Sequence, residues 1–353
     1  MNSKRHTSGY RALGLAAVLL ATLSLAVLSL MAATSMAVPV KLKRGQDRID
    51  VTIGGRPFTT YYFLPDVAKP YLMPLQTASG IVISRPFPVG NYISEHDLAD
   101  PGPNIEPHQR PLYFAHGDIN GLDFWGELAT EKYLKHHKKN LAAPVPHHAF
   151  GHMSLMKVEE VREGPESATV RARFSLEDES NHKIAEETQT YTFSGDDQTR
   201  TIDCEYIIYA TAGPVVMGDT KEGTFGIRLS RELSEPHDHM LNSHGAQGEP
   251  AIWGKTADWV DYSGIVSGKP VGIVAFDSPK SFRHPTTWHA RAYGLLAANP
   301  FGLREFTKDP NQDGSYTIQP GQSLTFQYRV VIYDGELTPS RIAHLYRHYA
   351  TRH

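Results

Sequence analysis

The segment from Ser167 to Gly213 constrains the fold most. It reads SATVRARFSLEDESNHKIAEETQTYTFSGDDQTRTIDCEYIIYATAG. Three long runs alternate in polarity with a period of two, and the turn-rich stretches EDESN and SGDDQ separate them. In TRTIDCEYIIYA the alternate residues Ile202, Cys204, Tyr206 and Ile208 share one face, which places Cys204 in a core. Further strands are legible in RIDVTIGGRPFTTYYF, KPVGIVAFDS and YTIQPGQSLTFQYRVVIYDG. Meanders with such turns favour an all-β fold, a large antiparallel β-sandwich, over any βαβ unit.

One helix is expected, over 338–350 in LTPSRIAHLYRHYATRH. Thr338 suits the N-cap and Pro339 the first helical position. Ile342, Leu345, Tyr346 and Tyr349 then form an apolar stripe that packs on a sheet. The stretch EKYLKHHKKN reads as a short helical or loop excursion with a solvated charged face.

Residues 1–37 read as a signal peptide. Three basic residues without an acid precede the apolar run ALGLAAVLLATLSLAVLSLMAATSMA, and Ser35 and Ala37 fit a small-residue cleavage site. The run is also long enough to span a bilayer as an uncleaved anchor. No cysteine follows it to take a lipid. Cleavage leaves a single domain, 38–353, in the periplasm or outside the cell, with no further membrane association. Losing Lys4, Arg5 and Arg11 takes the 35 basic residues to 32 against 38 acidic, a net charge of −6. Such a surface, without a basic stripe, argues against nucleic acid as a partner. Cys204 is the only cysteine, so stability rests on the core and not on disulfides.

Four segments are denser in polar and aromatic residues than turns require. EPHQRPLYFAHGDINGLDFWGE holds His108, Arg110, His116, Asp118, Asn120, Asp123 and Trp125. GDTKEGTFGIRL holds Lys221, Glu222 and Arg228. AIWGKTADWVDYSG holds Trp253 and Trp259, and RHPTTWHARAYGLLAANPFG holds Trp288, His289 and Arg291. Histidine shuttles protons near neutral pH, arginine forks onto carboxylates, and tryptophan offers a flat apolar face. That inventory suits a carbohydrate, whose hydroxyls take Asn, Asp and Arg while its C–H faces lie on Trp. Plainer readings stand beside it. Asp118 and Asn120 in HGDING are also good turn formers. Trp125, Trp253 and Trp259 also suit a core, and Lys221 and Glu222 also suit an exposed pair.

The 18 histidines raise the question of a metal, with HDH at 237–239 near His244 and with His116 near Asp118. Neither spacing matches a diagnostic metal motif, and no metal or other cofactor is expected. His136, His137, His147 and His148 sit among lysines and prolines and read as surface. Neither a G-x-S-x-G elbow nor a nucleotide-binding glycine motif occurs.

The motifs KPYLMPLQTASGIVISRPFP, HQRPLYFAHGDINGLDFWGE, GDTKEGTFGIRL, AIWGKTADWVDYSG and HPTTWHARAYGLLAANPFG together resemble a secreted bacterial family. That family often carries the label methane oxygenase PmoA and is otherwise of unknown function. The true methane monooxygenase subunit of that name spans the membrane many times, whereas here only the N-terminal run is apolar enough. The family pattern D-H-P-H-H-R corresponds here to EPHQR, so His108 and Arg110 remain and Gln109 stands in place of a histidine. The loop before it, SEHDLADPGPNI, is rearranged. His116, Asp118, Asn120, Asp123, Trp125, Lys221, Glu222, Arg228, His289 and Arg291 match the pattern. At fold level the chain also looks similar to galactose-mutarotase-like supersandwich proteins. These include aldose epimerases, polysaccharide lyases and glycosidases, which bind sugar in a concave sheet.

The resulting expectation is an exported protein acting on a carbohydrate by acid–base chemistry, by cleavage or epimerisation. His116 or His289 transfers the proton and Glu222 is the opposing carboxylate. Arg110, Arg228 and Arg291 hold a carboxylate or developing charge. His108, Asp118, Asn120, Asp123 and Lys221 bind the ligand, and Trp288 stacks on it. A non-catalytic glycan-binding module and a metal-dependent oxidase are the alternatives.

Overall fold

The alternating segment folds into the antiparallel strands Ser167–Glu177, Lys183–Gly195 and Thr199–Tyr209, with Tyr191 opposite both Val170 and Cys204. Aspartates close both turns. Asp178 Oδ1 accepts from the backbone N–H groups of Ser180 and His182, and Asp196 Oδ1 from those of Gln198 and Thr199. Cys204 is 2% exposed, as the alternation requires. The computed structural model describes residues 38–86, 106–128 and 149–351, apart from 235 and 237. Residues 1–37, expected to be a signal peptide, the EKYLKHHKKN stretch, all of SEHDLADPGPNI, His136, His137, His147, His148 and His237 lie outside them. Among the described residues no helix is long and apolar enough to cross a membrane.

Two large antiparallel sheets make the body. The eight-stranded sheet runs Asp238–Asn242, Trp259–Val266, Lys269–Asp277, Ser323–Asp334, Thr199–Tyr209, Lys183–Gly195, Ser167–Glu177, His152–Glu163. The nine-stranded sheet starts with Val40–Arg44, Arg48–Ile53, Arg56–Tyr62 and Tyr71–Met73. It continues through Leu112–His116, Gly223–Arg228, Leu295–Ala298, Thr287–Arg291 and Lys255–Thr256. Aromatic side chains join the inner faces. Phe114 stacks on Tyr206 at 4.2 Å between centroids and Phe225 on Tyr328 at 4.5 Å, so alternate residues of the nine-stranded sheet face the core.

The C-terminal helix spans Pro339–Ala350, and the Thr338 side chain accepts from the Arg341 N–H at 3.3 Å. Its buried Ile342, Tyr346 and Tyr349 cover Leu241, Trp259, Val274, Phe276 and Val331 on the outer face of the eight-stranded sheet. Each fully buried side chain of that kind contributes about 1.5–3 kcal/mol. The described residues therefore form an all-β sandwich with one substantial C-terminal helix.

Candidate functional site

Strand register assembles a single row across the outer face of the nine-stranded sheet. Tyr62 lies opposite Tyr71, Tyr71 opposite Tyr113, Tyr113 opposite Gly226, Gly226 opposite Ala297, and Ala297 opposite His289. Residues directly opposite share a face, and Phe114 and Phe225 face the core, so this row faces away from it. Two residues along, Arg228, Leu295 and Arg291 make a second row on the same face. Gly226 is needed for close approach. A Cβ there would lie 2.8 Å from the Tyr113 ring and 2.9 Å from Trp125. Its absence lets Tyr113 and Trp125, 4.7 Å apart, lean across the strand.

His289 occupies the far end of the row at 1% exposure. Its Nδ1 lies 2.7 Å from the Lys221 carbonyl oxygen, which can only accept, so Nδ1 carries the proton. Nε2 then presents a lone pair and has no hydrogen-bond partner, although it is buried. Trp253 and Phe306 hold the ring edge-on, with centroids at 6.2 and 6.0 Å. Burial pushes the imidazole below its ordinary pKa, against the pull of Glu222, and keeps it neutral.

Glu222 is the shared neighbour of the cluster. Lys221 Nζ sits 2.8 Å from its Oε1 and 3.4 Å from Glu305 Oε2. Burial works against its charge, but the Lys221 ammonium outweighs this and holds the carboxyl below the usual carboxylate range. It remains one third exposed and so is reachable. The same carboxylate lies close enough to raise Tyr113, Tyr293 and Asp123. In each of these burial is the larger cause. The Tyr113 hydroxyl is buried, firmly protonated and without a hydrogen-bond partner. Burial and the nearby Lys69 push His108 down to about 3.

A buried ion cluster supports the near side of this face. Glu127 accepts from Arg110 Nε at 3.1 Å and Nη2 at 2.6 Å, and Lys69 Nζ is 3.0 Å away. Lys69 also donates to the Trp125 carbonyl at 2.6 Å, and the Arg110 guanidinium lies 5.0 Å over the Tyr71 ring. Burial alone would raise the Glu127 carboxyl; Arg110 and Lys69 prevail and bring it down to about 2. Beside this cluster, Gln109 accepts from Arg228 Nη1 at 3.2 Å and donates to the Tyr293 hydroxyl at 3.4 Å.

Of the residues expected from sequence, His108, Lys221, Glu222, Arg228, His289 and Arg291 converge on this face, and Asp123 lies at its edge. Others do not. His116 is 0% exposed on the strand that carries Phe114, two residues on. It therefore faces the core, where it packs against Phe301 and its Nε2 meets the Gly218 carbonyl oxygen at 2.8 Å. Burial holds it down to about 4. Trp288 is likewise a core residue at 0% exposure, tied to the Ala257 carbonyl, and offers no face to a ligand. Asp118 and Asn120 shape a turn. Asp118 accepts from the Gly121 N–H at 2.9 Å, and Asn120, at φ 53°, accepts from the Val216 N–H and donates to the Pro214 carbonyl. Arg110 belongs to the ion cluster. The sequence reading passed over Tyr113, Tyr293, Lys69, Glu127 and Gly226. Lys69 alone leaves a trace, as one cation beside the apolar run PYLMPL. Among the described residues no group of three or more His, Cys, Asp or Glu is placed to hold a metal ion.

These features define a large antiparallel β-sandwich protein with a cluster of ionisable and aromatic groups on one outer sheet face. The chain belongs to the family of unknown function DUF6807, which matches residues 48–347. No curated protein matches it. Among solved structures it is similar to the Slr1438 protein from Synechocystis sp. PCC 6803, at 11% identity over 85% of this chain and 96% of that one, with a TM-score of 0.34. It is also similar to the GH36 α-galactosidase AgaA from Geobacillus stearothermophilus, at 12% identity over 84% of this chain and 40% of that one, with a TM-score of 0.32. For the α-galactosidase from Lactobacillus brevis the identity is 8%, the coverage 83% and 39%, and the TM-score 0.26. Likenesses at this distance carry no argument about activity.

Proposed function

We propose that the protein binds a carbohydrate on the outer face of its nine-stranded sheet and catalyses a proton transfer on it. One observation supports this most. Two buried polar atoms without partners, His289 Nε2 and the Tyr113 hydroxyl, belong to groups that lie within the field of the same reachable carboxylate, Glu222. A native fold rarely leaves such atoms unsatisfied without a use for them. Glu222, held ionised, is the base. Tyr113, held protonated, donates to a ligand oxygen, and neutral His289 accepts from a ligand hydroxyl and can take its proton. The small Ala297 leaves the floor low beside His289, and His108 and Lys221 border the ligand. Cleavage of a glycosidic bond ranks above epimerisation.

The basic and then apolar first 37 residues support an exported destination. An oxidase, as the label on the resembling family implies, is the competing reading. Copper or iron bound to protein purified without a His-tag would favour it.

The test is product formation from a panel of oligosaccharides, followed by proton NMR. Glu222→Gln and His289→Ala are expected to lose about 10²–10⁴-fold in turnover while keeping their melting temperatures. Wild-type activity in Glu222→Gln would remove the proposal. Sugar binding by the wild type without any product would reduce the protein to a glycan-binding module.

A further inference from the structure

Exposure rises along the row on the outer face, from a buried end to an open one. At the near end Tyr113 and Trp125 are 0% and 1% exposed. Their rings lie 4.7 Å apart, and the Lys69 ammonium sits 5.3 Å from the centre of the Tyr113 ring. Lys69 is fixed there by Glu127 and by the Trp125 carbonyl. At the far end the Lys221, Glu222 and Arg291 side chains are each about one third exposed, and Trp253 is half-buried. Glu222 lies between the ends, close enough to act on Tyr113 and Asp123 at one and on His289 at the other. Trp253 is built into the open end. Its backbone N–H donates to the Glu249 carbonyl at 2.9 Å. The Glu249 carboxylate pairs with Arg291 and accepts from the Ala292 N–H, which ties the Trp253 turn to the strand carrying His289. Gly254, at φ 70°, lets the chain close on Phe306, since a Cβ there would lie 3.1 Å from the Phe306 Cβ. The Trp253 indole N–H is buried and has no hydrogen-bond partner.

We propose that this face is a blind-ended site for the terminal unit of a sugar chain, with the next unit lying on Trp253. The inference rests on the carbohydrate reading above and names its substrate class, oligosaccharides bound by one end. Tyr113 and His289 stand three strands apart, about 14 Å from backbone to backbone. One sugar ring does not bridge that span, so the site takes two linked rings. The inner ring sits over Ala297 against Tyr113, where Trp125 and Lys69 close the way beyond it. The outer ring meets Trp253, whose indole offers an apolar face and one unused donor. Glu222 then stands where the two rings join, and the rest of the chain runs out past Lys221 and Arg291.

The experiment is calorimetric titration with xylose, glucose, galactose and mannose and with their linear tetrasaccharides. Each tetrasaccharide is used free, with a bulky aryl group on its first or its last ring, and with both ends blocked. At least one free tetrasaccharide is expected to bind, and one of its singly blocked forms to bind equally well. The other singly blocked form and the doubly blocked form should bind about tenfold or more weakly. Trp253→Ala should weaken that tetrasaccharide more than its monosaccharide. Trp253→Phe keeps a ring and loses the donor, so it carries the same comparison where Trp253→Ala fails to fold. A doubly blocked chain that binds as tightly as the free one would overturn the blind end and leave the carbohydrate reading standing. Equal losses for chain and monosaccharide in the Trp253 variants would overturn the place given to Trp253. Binding of no sugar at all would remove both readings.

Discussion

Gly226 shows how a missing side chain shapes the candidate site. Tyr113 and Trp125 occupy the space that its Cβ would need. Both rings are fully buried, and neither the Tyr113 hydroxyl nor Trp125 Nε1 has a hydrogen-bond partner. Gly226→Ala must push at least one ring aside, and overpacking of this kind costs about 1–3 kcal/mol. Tyr113 meets the added Cβ directly, at 2.8 Å, so the loss should appear twice. Chemical denaturation should show reduced stability, and ligand titration should show weakened binding. Wild-type stability in the variant would mean that the rings have room to give. Glu222 carries a second residue-scale prediction. Its carboxyl is held below the ordinary range, so it stays ionised, and its base function is retained, through the usual carboxylate range. The acid limb of the activity profile should therefore fall below about pH 6.5, at whichever of Glu222 and His289 is protonated first as pH falls. Lys221→Met removes the nearest cation and should move that limb upward.

At the scale of elements, the segment around Glu127 joins two parts of the nine-stranded sheet. Arg110 enters the strand Leu112–His116, Lys69 precedes Tyr71–Met73, and Glu127 binds both. Buried pairs are weak evidence of net stabilisation, yet breaking one strands its partners as buried charges. Glu127→Gln keeps the shape and is expected to cost about 3–5 kcal/mol in urea unfolding at neutral pH. The sign with pH follows from the carboxyl being lowered to about 2. Its contribution is complete above the unfolded value of about 4.5 and is lost as pH falls toward 2. The gap between wild type and Glu127→Gln should therefore narrow over that window. A gap independent of pH would mean that the ionised form has no special place there. The same elements show what the sequence could and could not reveal. The strands from Ser167 to Tyr209 were legible because each alternates with a period of two. The C-terminal helix was legible from Thr338, Pro339 and its stripe. The strand LYFAH is buried on both faces and does not alternate, so nothing local told His116 from Tyr113. Parity alone decides between them, and a one-residue change reverses every side chain. The row linking Tyr113 to His289 depends on pairing between strands more than a hundred residues apart, which no local pattern encodes.

For the whole molecule, the buried ionisable groups set opposing slopes of stability with pH. Glu187, 0% exposed, accepts from Gln189, whose amide oxygen accepts from Tyr61 and Tyr191, so this network ties the two sheets together. Burial raises Glu187 to about 8, and raises Asp261, bonded to the Tyr333 hydroxyl at 2.9 Å, to about 7. Carboxyls that are protonated in the fold contribute most below their unfolded values, and that contribution is lost as pH rises through 7 and 8. Neutral histidines act in the opposite sense. His108, His116 and His289 are all lowered by burial, so their contribution is full above about pH 6.5 and is lost below it. Between about pH 4.5 and 6.5 the histidines make stability rise with pH, while Glu187 and Asp261, together with Asp123 and Asp277, which burial also raises, make it fall. Above 6.5 the histidine contribution stops changing while the carboxyls still oppose folding. His284, raised by its bond to Asp277, adds to that decline. The melting temperature should therefore decline above about pH 6.5. In the double variant Glu187→Gln, Asp261→Asn the amides need no proton, so the decline from pH 6.5 to 8 should shrink. Calorimetric scans from pH 5 to 9 would show it. An unchanged alkaline decline in the double variant would mean that these two carboxyls are already ionised in the fold.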